Sequence, residues 1–171
     1  MATDGEWVLD HLRRHERSLL NYVNRLLGDS ERAQDVVQEA FLKLCRQQRA
    51  EIEPRLPAWL FTVCRNQVRD LQRKENRMIV ADQQALDVRP SAAPDPESAA
   101  VRKESDRRVT EVLKELPDRS QEVVRLKFQH EMSYKQIAEI TGLTVGNVGF
   151  ILHHALVKLR TLLESPSVAA T

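Results

Sequence analysis

Residues 133–163, SYKQIAEITGLTVGNVGFILHHALVKLRTLL, are the part of the chain that decides its fold. Ser133 can cap a helix, and Gln136 three positions later completes a capping box. Gly142 suits the left-handed conformation that ends many helices, and Thr144 can cap a second helix directly afterwards. The pattern therefore predicts two helices joined by a tight turn.

The second predicted helix has one apolar face and one unusual outward face. Its apolar residues recur at the three- and four-residue spacing of a helix packed on a core: Val148, Ile151, Leu152, Ala155, Leu156, Leu159, Leu162 and Leu163. The outward positions are Asn147, Phe150, His153, His154, Val157 and Lys158. Such a pair of helices also occurs as an ordinary αα-hairpin. The outward Phe150 favours a helix that reads the DNA major groove, where an aromatic ring can contact a thymine methyl group.

Length and composition limit the possible classes of protein. The 171 residues allow one or two compact domains, and 42% hydrophobic with 30% charged residues is ordinary for a soluble chain. Few glycines and few β-branched runs predict an all-α fold. The net charge of +1 does not indicate a generally basic nucleic-acid binder.

The two cysteines form no CxxC pair, which is typical of a reduced interior. No run approaches the roughly 20 apolar residues that span a bilayer, and the N-terminus lacks a signal-peptide pattern. We therefore expect a cytoplasmic location and no membrane insertion.

The chain divides into two helical parts. Residues 78–100 hold three of the seven prolines and carry one arginine against four acidic residues, which predicts a flexible linker. We expect a first domain at residues 6–77, a second at 101–164 and a disordered tail at 165–171.

Three helices are predicted in the first domain, at residues 6–27, 30–48 and 58–76. Gly28 ends the first, and Asp29 or Ser30 caps the second. Pro54 and Pro57 bracket a predicted loop. The core residues expected on the second and third helices are Ala33, Val36, Val37, Ala40, Phe41, Leu44, Leu60, Val63, Cys64, Val68 and Leu71.

In the second domain, two helices are predicted before the helix-turn-helix pair. The first spans residues 99–116 and is stopped by Pro117. The second spans residues 119–129, and Asp118 with Gln121 is expected to form its capping box. Its expected core residues are Val123, Val124, Leu126 and Phe128.

Two charged stripes of opposite sign stand out in the first domain. The acidic stripe is Glu31, Asp35 and Glu39, and the arginine stripe is Arg65, Arg69, Arg73 and Arg77. Residues four apart share a helix face, so like charges at this spacing destabilise an isolated helix. Each stripe alone could be a solvated surface. The presence of both stripes on one small domain favours binding surfaces over solvated ones. Arginines can bind phosphates, and carboxylates can bind a basic protein partner.

Aromatic residues lie between the two stripes, at Trp59 and Phe61. Aromatic rings beside arginines suit unstacked single-stranded bases, although core packing is also open and is the favoured reading for Phe61. His11 and His15 have the i, i+4 spacing of a helical metal pair, but no third ligand follows. The chain has no phosphate loop or nucleophile motif, so we expect no enzyme activity and no cofactor.

Almost the whole chain resembles the extracytoplasmic-function sigma factors of bacterial RNA polymerase. DSERAQDVVQEAFLKLCR resembles the polymerase-binding helix of this family, and PAWLFTVCRNQVRDLQRK resembles its promoter-melting helix. LKELPDRSQEVVRLKFQHEMSYKQIAEITGLTVGNV resembles its fourth domain. The resemblance implies a three-helix region 2 domain and a helix-turn-helix region 4 domain, with core RNA polymerase, promoter DNA and an anti-sigma factor as partners.

The resemblance also implies roles for matching residues. Core polymerase contacts are implied for Asp35, Gln38 and Glu39. Contacts with the minus-ten element, including a flipped base, are implied for Arg55, Trp59, Arg65, Asn66, Arg69 and Arg73. Contacts with the minus-thirty-five element are implied for Thr144, Asn147, Phe150, His153, His154 and Lys158.

One departure from the family concerns the last helix, which has only Lys158 and Arg160 where the family places several basic residues. We therefore expect base contacts with few phosphate contacts and a shallow salt dependence. Two alternatives remain open. A repressor or activator could bind duplex DNA without polymerase, and a metal-dependent nuclease could use His11, His15 and nearby acidic residues.

Overall fold

The computed structural model describes residues 4–81 and 104–165. In these ranges the elements are α1 (Asp4–Leu27), α2 (Ser30–Leu44), α3 (Arg49–Ile52), a 3-10 turn (Glu53–Arg55), α4 (Leu56–Ala81), α5 (Glu104–Lys114), α6 (Asp118–Phe128), α7 (Tyr134–Thr141) and α8 (Val145–Glu164). No strand occurs in the described ranges, so the predicted all-α class is confirmed. The chain separates into an N-terminal unit, Met1–Ala93, and a C-terminal unit, Pro94–Thr171.

The N-terminal unit packs α1, α2 and α4 around one core. Every core residue predicted on α2 is buried, as are Leu60, Cys64 and Val68 of α4, whereas Val63 and Leu71 are only half-buried. The Tyr22 and Phe61 rings meet at 5.0 Å between centroids, which confirms Phe61 as a core residue. Burial raises the pKa of the Cys64 thiol to about 12, so this cysteine stays protonated and behaves as a small apolar residue.

The boundary between α1 and α2 is set by the residues at the helix ends. Gly28 has φ of 68° and ends α1, as predicted. Asp29 caps α2 by accepting hydrogen bonds from the backbone N–H groups of Glu31 and Arg32 at 3.0 and 3.1 Å. The second helix ends at Leu44, four residues earlier than predicted.

Two predictions for the segment around α4 were wrong. The expected loop before it is α3 plus the 3-10 turn, so the unit has a short helix in addition to the three predicted. Proline is allowed in the first turn of a helix, and Pro57 therefore lies at the second residue of α4, after Leu56, and does not prevent the helix. At its other end α4 continues to Ala81, so residues 78–81 of the predicted linker are helical. The remainder of that linker, residues 82–100, lies outside the described residues.

The C-terminal unit packs α5, α6 and α7 against α8. Its core contains Leu113, Leu116, Val123, Val124, Leu126, Met132, Ile137, Ile140, Val148, Leu152, Ala155 and Leu159. Arg108 of α5 donates hydrogen bonds to the carbonyls of Leu163 and Ser165, both at 2.8 Å. Because these carbonyls end α8 and lack helical partners, the guanidinium satisfies them and ties the two helices together.

The helix-turn-helix pair forms as predicted. Ser133 and Gln136 complete a reciprocal capping box, with hydrogen bonds of 3.1 and 2.9 Å. Gly142 has φ of 74°, and the Thr144 hydroxyl accepts from the Asn147 N–H at 3.1 Å. The axes of α7 and α8 are bent by 104° at this junction. This angle lies within the range of roughly 90–120° that helix-turn-helix motifs use.

Three predictions for the C-terminal unit were wrong. Pro117, not Asp118, occupies the N-cap of α6, and Gln121 instead donates to the Leu116 carbonyl at 2.8 Å. Phe128 is 58% exposed, because it is the last residue of α6. Leu156 is 44% exposed, so the apolar stripe of α8 is narrower than the periodicity indicates. Of the predicted tail, Ser165 is the C-cap of α8, and residues 166–171 lie outside the described residues.

Candidate protein and nucleic-acid interfaces

The outer face of α2 carries the acidic stripe, with an exposed leucine at its C-terminal end. Asp35, Gln38, Glu39 and Leu42 are all exposed, Leu42 by 55%. Residues three, four and seven apart lie on one side of a helix, so these four form one continuous surface, named here the α2 face. Within the described part of the chain neither Asp35 nor Glu39 forms an ion pair. Their carboxylates are therefore available to a basic partner.

Leu42 was missed by the sequence analysis as part of this surface. Its spacing of three residues from Glu39 and seven from Asp35 could have revealed it. An apolar side chain surrounded by polar groups is typical of protein-binding sites, where it is desolvated while the charges around it select the partner.

A second surface lies along α4. Trp59, Asn66 and Arg73 are spaced by seven residues, so they lie within about 40° of one another on one helix face, named here the α4 face. Trp59 is half-buried, whereas Asn66 and Arg73 are exposed. An open depression farther along the helix is lined by Arg69, Arg73, Asn76, Arg77 and Val80. Trp59, Arg73 and Arg77 therefore lie along one side of the helix, whereas Arg69 lies about 80° around it from Trp59. An aromatic ring beside arginines is also the combination found in sites for single-stranded nucleic acid.

The structure does not bring all the predicted α4 residues to this face. Arg65 is half-buried and lies about 120° around the helix from Trp59. Arg55 is exposed in the 3-10 turn directly before α4. Asn76 and Val80 line the depression although the sequence analysis did not select them. The signal for Asn76 was its spacing of three residues from Arg73.

The segment before α4 is held against α1 by one arginine. Arg49 forms an ion pair with Glu53 at 3.1 Å, and its guanidinium lies 5.4 Å from the centroid of the Trp7 ring. The hydrogen bond from Arg49 lowers the pKa of Glu53 and keeps it ionised. These contacts link α3 and the 3-10 turn to α1.

The two N-terminal histidines lie beside this cluster and form a ring pair. The His11 and His15 rings are stacked at 5.7 Å with an interplanar angle of 5°. Across residues 4–81 and 104–165 no group of three or more metal-binding side chains occurs. Burial lowers the pKa of both rings.

The outer face of α8 is the third candidate surface. Asn147, Phe150, His153, His154, Val157 and Lys158 are all exposed, as predicted, and so is Thr144 at the cap. The Phe150 and His154 rings lie 4.0 Å apart between centroids. The two basic residues of α8 both have partners within the protein. Lys158 Nζ donates to the Glu115 carbonyl at 2.9 Å, and Arg160 pairs with Glu164 at 2.8 Å. The outward surface from Gly146 to Val157, named here the reading face, contains no lysine or arginine.

None of the described helices is by itself long and apolar enough to cross a bilayer. By length and composition α7 and α8 meet that criterion only as a pair, across their sharp bend.

Comparison with known proteins agrees with this arrangement. Sigma-70 region 2 matches residues 11–78, and sigma-70 region 4 matches residues 106–159. The chain is 32% identical over 158 residues to the ECF RNA polymerase sigma factor SigL of Mycobacterium tuberculosis, covering 90% of this chain and 87% of SigL. It is 29% identical over 149 residues to the ECF RNA polymerase sigma factor SigW of Bacillus subtilis, covering 82% and 80% of the two chains.

A solved structure shares the fold. The sigma factor RpoE of Bartonella quintana, crystallised in complex with the anti-sigma factor NepR, gives a TM-score of 0.68. The sequences are 23% identical, and the match covers 91% of this chain and 96% of RpoE. The two matched regions and the relatives that span nearly the full length show that this chain belongs to the extracytoplasmic-function sigma factors of the sigma-70 family.

Proposed function

We propose that this sigma factor binds core RNA polymerase through the α2 face, holds melted promoter DNA on the α4 face, and reads the upstream promoter element with the reading face of α8. Members of the sigma factor family are promoter-specificity subunits and not enzymes. The observation that carries the proposal is that one small unit has an acidic helix face ending in an exposed leucine and also a helix face with arginines and an aromatic ring.

The α2 face supports the binding of core polymerase. Its carboxylates are exposed and have no basic partner in the described part of the chain. We assign Asp35, Gln38 and Glu39 to this contact, with Leu42 as an apolar contact at its C-terminal end. Electrostatic complementarity of this kind sets the association rate and excludes wrong partners, while burial of the leucine slows dissociation.

The α4 face supports the binding of melted DNA. We assign Trp59 to stacking on an unpaired base and Asn66 to the base edge, with Arg69 and Arg73 on the phosphates. Arg55 and Arg65 flank this contact. Stacking of a base on an aromatic side chain contributes about 1–3 kcal/mol, which offsets part of the free energy of opening the duplex.

The helix-turn-helix supports the binding of duplex DNA upstream. Thr144 and Asn147 lie at the start of α8, where recognition helices contact base edges, and Phe150, His153 and His154 follow on the exposed side. In this scheme region 2 occupies residues 6–77 and region 4 residues 101–164. The residues between them connect the two regions.

Two further assignments accompany the scheme. We propose a cytoplasmic location, where polymerase and promoter DNA are present. We also propose an anti-sigma factor as regulatory partner, because RpoE of Bartonella quintana binds one, NepR, on a similar fold.

A direct experiment separates this function from that of a duplex-binding regulator. The full chain is mixed with purified core polymerase, and complex formation is measured by gel filtration, followed by transcription from a genomic fragment library with mapping of start sites. We expect a stable complex with core polymerase. The start sites that it uses should share one sequence motif upstream and another downstream. Specific duplex binding without any complex with core polymerase supports the regulator instead.

A further inference from the structure

The Phe150 and His154 side chains contact each other on the reading face. Phe150 is 62% exposed, and its ring lies 4.0 Å from the His154 ring at an interplanar angle of 34°. His154 Nδ1 also lies 2.9 Å from the backbone carbonyl oxygen of Phe150. Two separate contacts therefore hold the imidazole against the phenyl ring, although both side chains are exposed.

The hydrogen bond to the Phe150 carbonyl determines the tautomer of His154. A carbonyl oxygen only accepts, so Nδ1 must carry the hydrogen and donate it. In the neutral ring the other nitrogen, Nε2, then has a lone pair and no hydrogen. In that neutral form His154 presents a hydrogen-bond acceptor to a ligand at the reading face.

An acceptor on this face discriminates among base edges in the major groove. Adenine offers its N6 amino group and cytosine its N4 amino group as donors, whereas guanine offers only the N7 and O6 acceptors. From Gly146 to Val157 the reading face also has no lysine or arginine, the side chains that most often bind guanine, and the next outward residue, Lys158, donates to the Glu115 carbonyl. Phe150 beside it supplies an apolar surface of the kind that contacts the thymine methyl group.

Asn147 extends the same surface toward the start of α8. It precedes Phe150 by three residues and His154 by seven, so the three side chains follow one side of the helix over about 10 Å. This length corresponds to about three base-pair steps of roughly 3.4 Å. An asparagine side chain can pair with the N6 and N7 atoms of adenine.

We infer that the reading face selects an upstream promoter element in which a thymine, contacted through its methyl group by Phe150, adjoins an adenine or cytosine whose amino group donates to His154. Guanine is excluded at the His154 position. The inference rests on the proposed function, because it names the DNA sequence class that the same helix reads.

The test uses holoenzyme assembled from core polymerase and the full chain. Promoters randomised upstream of a fixed downstream element are selected by binding and sequenced. Each selected thymine is then replaced in turn by deoxyuridine, which lacks only the methyl group. Loss of one methyl contact is expected to weaken binding about fourfold at one position, and Phe150→Ala should abolish that sensitivity.

A second variant tests the acceptor on His154. His154→Arg replaces an acceptor by a donor and should change one selected adenine or cytosine to guanine. Gln129→Arg is the matched control, because it adds the same charge at an exposed residue outside the reading face, the C-cap of α6. The control should leave that position unchanged.

The possible outcomes separate the two proposals. A holoenzyme that selects an upstream element rich in guanine, or one insensitive to deoxyuridine at every thymine, overturns the inference and leaves the proposed function standing. A holoenzyme that selects no upstream sequence contradicts the proposed role of α8 itself, and the inference with it.

Discussion

Lys158 Nζ donates a hydrogen bond to the backbone carbonyl of Glu115 at 2.9 Å, directly after the end of α5. A cation at this position satisfies a carbonyl that has no helical partner and interacts favourably with the negative end of the helix dipole. The other basic residue of α8, Arg160, pairs with Glu164. Both cations therefore have intramolecular partners.

Replacement of Lys158 should affect folding more than DNA binding. Lys158→Met removes one exposed, charge-assisted hydrogen bond, so we expect a loss of about 0.5–1 kcal/mol in stability, measured by circular dichroism. The salt dependence of holoenzyme binding to the promoter should stay unchanged. If the slope of log affinity against log salt concentration became shallower by about 0.9, Lys158 would bind a phosphate in the complex. Arg73→Met is the control. It should make the same slope shallower by about 0.7, the value for one phosphate contact with single-stranded DNA.

The parts of this fold that could be predicted from the sequence are those that local chemistry decides. Ser133 with Gln136, Gly142 and Thr144 each fix a helix end through a bond or a backbone angle within a few residues. Apolar periodicity likewise identified the buried residues of α2, because that helix is covered along its whole inner side.

The errors occurred where the outcome depends on distant residues or on competing local choices. Periodicity placed Phe128 and Leu156 in the core, but whether another element covers them depends on the tertiary packing. Gln121 could cap its own helix or bond the preceding carbonyls, and it bonds Leu116. For the candidate site, spacing alone grouped the α4 arginines, whereas the helical angle separates Arg65 from Trp59. The intramolecular bond of Lys158 has no signal in the sequence.

Charge reversal on the α2 face should weaken binding to core polymerase. Glu39→Lys places a cation where a basic partner is expected, and we expect a loss of at least tenfold in affinity, mostly in the association rate at low salt. Glu16→Lys on α1 makes the same charge change at another exposed glutamate and serves as the control. Equal losses for the two variants would indicate a general charge effect and contradict the assignment.

Removal of the Trp59 ring should weaken the hold on melted DNA. Trp59→Ala deletes the proposed stacking surface, and a loss of about 1–3 kcal/mol corresponds to roughly fivefold or more in affinity for the melted strand. The measurement is holoenzyme binding to a promoter with a single-stranded downstream segment. Trp59→Phe keeps an aromatic face and should retain most of the affinity. If both variants bind as the unmodified protein does, Trp59 is a packing residue only.

A matched pair of glycine substitutions tests the turn of the helix-turn-helix. Gly142 has φ of 74° and no atom within 4 Å of an added Cβ, so Gly142→Ala should destabilise the C-terminal unit by about 1–2 kcal/mol through backbone strain alone. Gly149 is helical, and its added Cβ would lie 3.6 Å from the Tyr134 ring, an ordinary contact. Gly149→Ala should therefore stabilise α8 by up to about 1 kcal/mol. Circular dichroism melting measures both effects. A change in stability in the same direction for the two variants would refute this account.

The stacked histidines should make the N-terminal unit sensitive to mild acid. Burial, aided at His15 by the neighbouring His11 and Arg14, lowers the pKa of both rings below the ordinary value of 6.5. The unfolded chain therefore takes up protons near pH 6.5 that the folded unit does not bind, so stability is highest above this pH and falls as the pH decreases. Both tryptophans, Trp7 and Trp59, lie in this unit, so their fluorescence reports its unfolding in urea. The urea midpoint should fall between pH 7.5 and 5.5, and His15→Gln should flatten that dependence while His153→Gln should not. A midpoint that stays constant or rises toward pH 5.5 would show that the ring pair does not control the stability of the unit.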